Sequence, residues 1–242
     1  AEIPVTLDGT ACETWTSIAV SAGQTLKFGF LTAGARLYIA VSGGIDTPAD
    51  LGSRSTYPIG ALGGVAGRAV QPGDSLPVGT GTAAAAGRCV PANLRRLPAT
   101  PAALRVLPGL YWDRLTDAAK DRFFADTWTV ASEADRMGYR FRGGHPLEFV
   151  DREQPFGAGS DPSNIVDGCY SYGSIQVPGG TEPIVLHRDA VSGGGYFTLG
   201  AVISADMDLV GQLQPNMPVR FVRVDMDEAL AARRHESERL DS

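Results

Sequence analysis

Lysine is almost missing from this chain: of its 21 basic residues only Lys27 and Lys120 are lysines, and the rest are arginine. Cysteine is scarce as well. Cys12, Cys89 and Cys169 are far apart and odd in number, and no CxxC pair occurs, which excludes a readable zinc knuckle or disulfide framework. A reduced, cytoplasmic protein is the economical expectation. No apolar run approaches the roughly 20 residues of a membrane span, and no basic segment followed by an apolar one opens the chain, so neither a membrane helix nor a secretion signal is read. The net charge of −6 offers no general attraction to nucleic acid or anionic lipid. His145, His187 and His235 stand apart from one another, which reads as surface or hydrogen-bonded histidines rather than a metal centre.

Motifs for several chemistries are missing too. There is no G-x-x-x-x-G-K-[ST] nucleotide loop and no G-x-S-x-G nucleophile elbow. Neither lysine is flanked in the manner of a biotin-acceptor site, so the chain is not expected to carry covalent biotin. Any ATP-driven step would belong to another polypeptide.

What is present is a mainly β pattern in a chain that is 43% hydrophobic and 20% charged, long enough to bury a sizeable core. "IPVTL" (3–7), "TWTSIAV" (14–20), "LKFGF" (26–30) and "ARLYIAV" (35–41) read as short strands separated by glycine-bearing turns, the start of a curled sheet. Residues 78–101 lose this pattern and carry three prolines, so they read as a linker, with a domain boundary near 80–103. The expected division is therefore 1–103 and 104–242. In the second part a strand at 104–109 precedes a helix over 112–126, capped by Asp113. Strands resume at "TWTVA", "GYRFRG", "LEFV", "GSIQV", "PIVLH", "FTLGAVI" and "VRFVRV". A short helix capped by Ser204 spans 204–213, and the alternately charged tail reads as an exposed, fraying helix with no function of its own.

Four polar clusters interrupt these strands. The first joins Gly43, Gly44 and Asp46 to Ser53, Arg54 and Ser55; the second is Asp135, Arg136, Met137 and Gly138. The third holds Gln176, Gly179, Gly180 and Asp189, and the fourth is Gly193, Gly194, Gly195 and Tyr196. Each combines glycine-permitted backbone, which can bring N–H groups close to a carbonyl or anion, with charged or amide side chains. Simple turns and ion pairs are equally open to these residues: Arg54 and Arg136 have Asp46, Asp135 and Asp189 as partners within reach of a fold.

Residues 36–76, "RLYIAVSGGIDTPADLGSRSTYPIGALGGVAGRAVQPGDSL", closely resemble the signature of the biotin-dependent carboxyltransferase family. "LRVLPG", "DRMGYRF", "GSIQVPGGTEPIVL", "GGY" and "VRFVRV" follow in the family's order. That family includes allophanate hydrolase subunit 2, the C subunit of 5-oxoprolinase and the KipA-like proteins. Two departures are visible. The chain enters the family pattern partway, which leads to the expectation of an N-terminally incomplete first subdomain. Ala190, Val191 and Ser192 also stand where the family commonly has glutamine and threonine before its late Gly-Gly-Tyr.

The resemblance implies tandem cyclophilin-like β-barrel subdomains with a few short helices. It implies a partner, a KipI-like or allophanate hydrolase subunit 1 homologue, within a heteromer that uses ATP on a partner subunit. Biotin on a biotin carboxylase-carrier partner, or a lactam-hydrolysing subunit, would complete the assembly. The activity would be opening of 5-oxoproline to glutamate, or carboxyl transfer to urea or a similar amide; the other implied role is a non-catalytic KipA-type regulator. Such chemistry would draw on Asp46, Arg54, Arg136 and Asp189 as catalytic groups. Gly43, Gly44, Ser53, Ser55, Met137, Gly138, Gln176, Gly194 and Tyr196 would bind the substrate, with Gln176 or Asp189 holding a planar amide and Asp46 or Asp189 taking a proton.

Overall fold

Alternation of buried and exposed residues organises the strand that opens the second half. In β4 (Ala102–Pro108), Ala102, Leu104 and Val106 are buried while Ala103 and Arg105 turn outward, the period of two that a half-buried strand requires. The computed structural model describes residues 1–82 and 85–241. Residues 83 and 84 of the expected linker, and residue 242 of the tail, lie outside it.

Before β4 come β1 (Val5–Leu7), β2 (Thr10–Cys12) and β3 (Leu26–Phe28), a three-stranded antiparallel sheet in the order β2-β1-β3. After β4 follow α1 (Asp117–Ala125), β5 (Trp128–Ala134), β6 (Gly138–Arg142), β7 (Asn164–Cys169), β8 (Ser174–Gln176) and β9 (Ile184–Leu186). The chain then forms β10 (Gly193–Tyr196), β11 (Thr198–Val202), α2 (Met207–Val210), β12 (Pro218–Arg223) and α3 (Met226–Asp241). Seven of these strands close a barrel in the order β11-β4-β12-β5-β6-β9-β8, with β12 parallel to β4 and the other pairs antiparallel. Closure removes sheet edges. β7 and β10 pair separately as a ribbon.

Two units emerge from the pattern of proximity. The barrel unit comprises Ala1–Ile3, Phe30–Arg36 and the chain from Pro91 on; the other comprises Pro4–Gly29 and Leu37–Val90. The barrel's interior is filled by aromatic residues. The Phe123 ring stacks on Phe221 at 4.7 Å, and Phe141 meets Phe221 edge-on at 5.3 Å. Trp128, wholly buried, donates its indole N–H to the Phe123 carbonyl at 3.1 Å, which satisfies its one polar atom.

Several local expectations are corrected. The helix expected from 112 begins at Asp117, and Thr116, not Asp113, caps it, its Oγ1 accepting from Ala119 N at 3.2 Å. Trp112–Arg114 instead make a 3-10 turn, after which Leu115 goes extended to bridge Phe149 and bury its own side chain. Tertiary burial of one leucine therefore overrides a helical period. "LEFV" contributes only that bridge. Ser204 opens a 3-10 turn rather than capping a ten-residue helix, and α2 ends at Val210. The tail helix is tied down: Asp225 and Glu228 cap each other's backbone N–H at 2.9 Å, and Glu236 pairs with Arg96 at 3.4 Å.

In the other unit, the stretches 14–20 and 37–41 are not strands. Thr16 makes a single bridge to Cys89, and Ile45 another to Val78. Short β-branched runs there are broken up by turns, and each bridge spans one residue pair instead of a ladder. These bridges also draw Val78 and Cys89, expected in a linker, into the packing of this unit.

Candidate functional site

The rim of the barrel unit is built by two turns that lock onto each other. In the turn before β6, Asp135 Oδ1 accepts from Met137 N at 2.7 Å and from Gly138 N at 3.3 Å, an Asx arrangement that fixes the loop. Arg136 then holds the turn after β9 twice over. Its carbonyl accepts from Asp189 N at 2.7 Å, and its guanidinium donates to both Asp189 carboxylate oxygens, Nε–Oδ2 at 2.7 Å and Nη2–Oδ1 at 2.9 Å. The Asp189 side chain is 17% exposed and that of Arg136 61%. Hydrogen bonds from Arg136 hold the Asp189 carboxyl below its ordinary range, so it stays ionised.

Next to this clamp lies a cavity of about 230 Å³ lined by Tyr170, Ser171, Tyr172, His187, Arg188 and the stretch 190–192. His187, expected as a surface or hydrogen-bonded histidine, is half-buried between the rings of Tyr139 and Tyr172, at 5.8 and 5.4 Å. Burial first, then the positive charges of Arg36, Arg136 and Arg188, lower its pKa to about 4, so the imidazole is neutral at pH 7. Arg188 spreads its guanidinium over the Tyr172 ring at 4.1 Å.

Gln176, Gly194 and Tyr196 are brought together by a residue that sequence reasoning passed over. The Tyr170 hydroxyl donates to Tyr196 O at 2.9 Å and accepts from Tyr196 N at 2.8 Å, with the Gln176 side chain close by. A Cβ at Gly194 would lie 3.2 Å from that hydroxyl, so glycine leaves the room this junction needs. A second cavity, of about 410 Å³, has walls from Leu107–Gly109, Cys169–Ser171, Ser174, Thr198, Gly200 and Ala201.

The remaining candidates belong to the other unit. Arg54 pairs with Asp46 at 2.9 Å, both side chains about half exposed, and also donates to the Thr47 carbonyl. Gly44 N donates to Val41 O at 2.9 Å, while Ser53 Oγ accepts from Ser55 N at 3.1 Å. Gly43 has φ of +89° and a Cβ there would fall 1.9 Å from Gly79 O, so the turn admits no other residue. The predicted residues thus fall into two sets, one in each unit. The signals that could have found the missed ones are the aromatic pair in "YSYG" and the charges flanking Asp189 in "LHRD".

A family profile described as "Carboxyltransferase domain, subdomain A and B" matches residues 1–223. The chain belongs to this carboxyltransferase domain family. Among its relatives, the C subunit of 5-oxoprolinase from Escherichia coli is 34% identical over 227 residues, spanning 94% of this chain and 68% of that protein. Urea amidolyase of Saccharomyces cerevisiae is 31% identical over 93% of this carboxyltransferase domain, which spans only 12% of the yeast protein. The crystal structure of urea carboxylase from Kluyveromyces lactis superposes with a TM-score of 0.86 at 29% identity, over 99% of this chain and 22% of that one. Among the described residues no helix is long and apolar enough to cross a membrane.

Proposed function

We propose that this carboxyltransferase domain is a subunit of an ATP-dependent complex that processes small amides, of the 5-oxoprolinase type. The observation that carries the reading is the Arg136–Asp189 clamp beside a small polar cavity. Amide chemistry needs an acceptor for the amide N–H and donors for its oxygen, held in place before the substrate arrives. Asp189 is kept ionised and immobile by two guanidinium bonds, which suits it to accept from an amide N–H. The same bonds make it a weak base, so its role is to hold the amide rather than to carry off a proton. Gln176, as both donor and acceptor, can match the other edge of a planar amide.

Within the other unit, taken by itself, Asp46 is the candidate base, and Gly43, Gly44, Ser53, Ser55 and Arg54 are the groups suited to a developing negative charge. Activation by ATP falls to a partner subunit, a KipI-like or allophanate hydrolase subunit 1 homologue, and ring opening to a lactam-hydrolysing subunit, all in the cytoplasm. In a urea-type assembly, biotin on a carrier partner would supply CO2 in activated form. The cavity of about 410 Å³, with Leu107, Pro108 and Ala201 beside Tyr170, Ser171, Ser174 and Thr198, has the size and the mixed lining to receive its ring system.

The test is reconstitution with the co-purifying partners. ATP hydrolysis that depends on 5-oxoproline and is insensitive to avidin is the expected result. Urea-dependent turnover abolished by avidin would transfer the reading to a urea carboxylase. Tight partner binding with no turnover of either would sink the enzymatic reading altogether.

A further inference from the structure

We propose that the cavity beside β9 is a carboxylate seat built by Arg188 and His187, so that this domain takes an amide bearing an acid group rather than a neutral one. The amide part of this statement rests on the proposed function; the carboxylate part rests on the cavity alone.

Charge points there first. Three guanidinium groups, of Arg36, Arg136 and Arg188, and one carboxylate, of Asp189, act on His187. Arg136 is matched by Asp189 in a bidentate pair. Arg36 is turned to the Tyr139 hydroxyl and the Gly211 carbonyl. Arg188 has no carboxylate partner among the described residues; it rests on the Tyr172 ring and lines the cavity. A guanidinium on an aromatic face, with fork positions left over, is an arrangement suited to a planar two-oxygen anion.

An unsatisfied atom points the same way. His187 Nδ1 is buried with no hydrogen-bond partner among the described residues. Buried polar atoms are nearly always paired, and one that is not calls for an explanation. A neutral imidazole protonated at Nδ1 donates one hydrogen bond; the ring lines the cavity, and a small turn of it would open that shielded atom to a carboxylate oxygen held by Arg188. Ser171 and Ser192 add polar residues to the lining. At about 230 Å³ the cavity is smaller than the roughly 300–1,000 Å³ of drug-sized sites, so it admits a ligand of a few heavy atoms. Urea carries no charge for Arg188 to meet, whereas 5-oxoproline joins a lactam to a carboxylate.

The test is calorimetric or ligand-observed NMR titration of the purified chain at pH 7 with 5-oxoproline, with 2-pyrrolidinone, which is the same ring without the acid, and with urea. The expected result is that 5-oxoproline binds at least tenfold more tightly than 2-pyrrolidinone or urea. Arg188→Gln should abolish that difference, and Arg188→Lys, which keeps the charge but not the fork, should restore part of it. His187→Gln, melting like the parent at pH 7, should weaken 5-oxoproline and leave 2-pyrrolidinone unchanged. Equal binding of 5-oxoproline and 2-pyrrolidinone, or undiminished 5-oxoproline binding by Arg188→Gln, overturns the seat. The two readings fail separately. Turnover of 5-oxoproline by a complex carrying Arg188→Gln at the parent rate removes the seat and leaves the proposed function standing. Carboxylate-selective binding by a chain whose complex turns over no amide supports the seat and removes that function.

Discussion

Asp189–Arg136 in the barrel unit and Asp46–Arg54 in the other unit are the same two residue types in opposite settings. The first is bidentate, with its acid 17% exposed and its backbone tied to the partner's backbone. The second is a single contact with both side chains about half in solvent. A third cluster extends the series inward. Asp206 is buried; it accepts from Arg105 N at 2.9 Å, from Arg105 Nη2 at 2.7 Å and from Arg96 Nη2 at 3.0 Å. Burial disfavours its charge, yet the hydrogen bonds and charge of Arg105 and Arg96 more than offset that and leave its pKa lowered. What an Arg–Asp pair does therefore depends on how deeply the acid sits and how many donors reach it.

The sharpest way to break the contrast is at the clamp. Asp189→Asn keeps the shape but loses the charge that anchors Arg136, and turnover of the reconstituted complex should fall by about 10²–10³-fold, the scale of losing one preorganised polar group. Turnover within threefold of the parent would remove Asp189 from the site.

Asp206→Ala probes the buried end of the series. It leaves Arg105 without its acid, while Arg96 keeps Glu236, and should destabilise the domain by about 3 kcal/mol, read from chemical denaturation.

Gly173→Ala tests the wall behind the cavity. Gly173 has φ of +90°, and a Cβ would fall 2.7 Å from the Val202 carbonyl oxygen and 3.1 Å from Met207 Sδ. Strain and displacement together should cost about 2 kcal/mol, seen as a lower denaturation midpoint. An unchanged midpoint would mean that the wall yields easily.

Much of this was legible from residue pattern, and unevenly so. Strands such as β4 and β12 show themselves because alternate residues enter one core. The start of α1 did not, because Leu115 is drawn out of a helical period by a bridge to Phe149, far along the chain. Both pairs, Arg54–Asp46 and Arg136–Asp189, were among the partnerships open to those residues in the sequence. Their difference in geometry was not, since burial belongs to the packed fold. His187 was illegible for the same reason: a lone histidine carries no sign that its Nδ1 will be buried without a partner.

His187 gives the comparison a pH dependence. Its pKa is lowered from 6.5 to about 4 in the fold, so the unfolded chain takes up the proton first as the pH falls. The stability contributed by the neutral ring is complete above pH 6.5 and is lost progressively between pH 6.5 and about 4. Half-burial and solvent screening reduce this to about 1–2 kcal/mol. Denaturation of the parent should therefore ease by that amount between pH 7 and pH 4.5, and His187→Gln should lose that part of the slope. A variant with the parent's full slope would assign it to the carboxylates instead.

The smallest effect on stability is expected at the exposed pair. Asp46→Asn removes one Coulombic contact between half-solvated groups, worth about 0–1 kcal/mol and screened by salt. Arg54 keeps its bond to the Thr47 carbonyl in the variant, so the loop retains its closure. The stability difference should be within about 0.5 kcal/mol and should vanish near 1 M salt, where the Debye length is about 3 Å. Turnover separates a loop-closing pair from a working one. As the base, Asp46 should cost the complex about 10²-fold or more in rate when changed to asparagine, with hardly any change in melting. A rate equal to the parent's would reduce Asp46–Arg54 to a surface ion pair and leave the chemistry to the barrel unit's clamp.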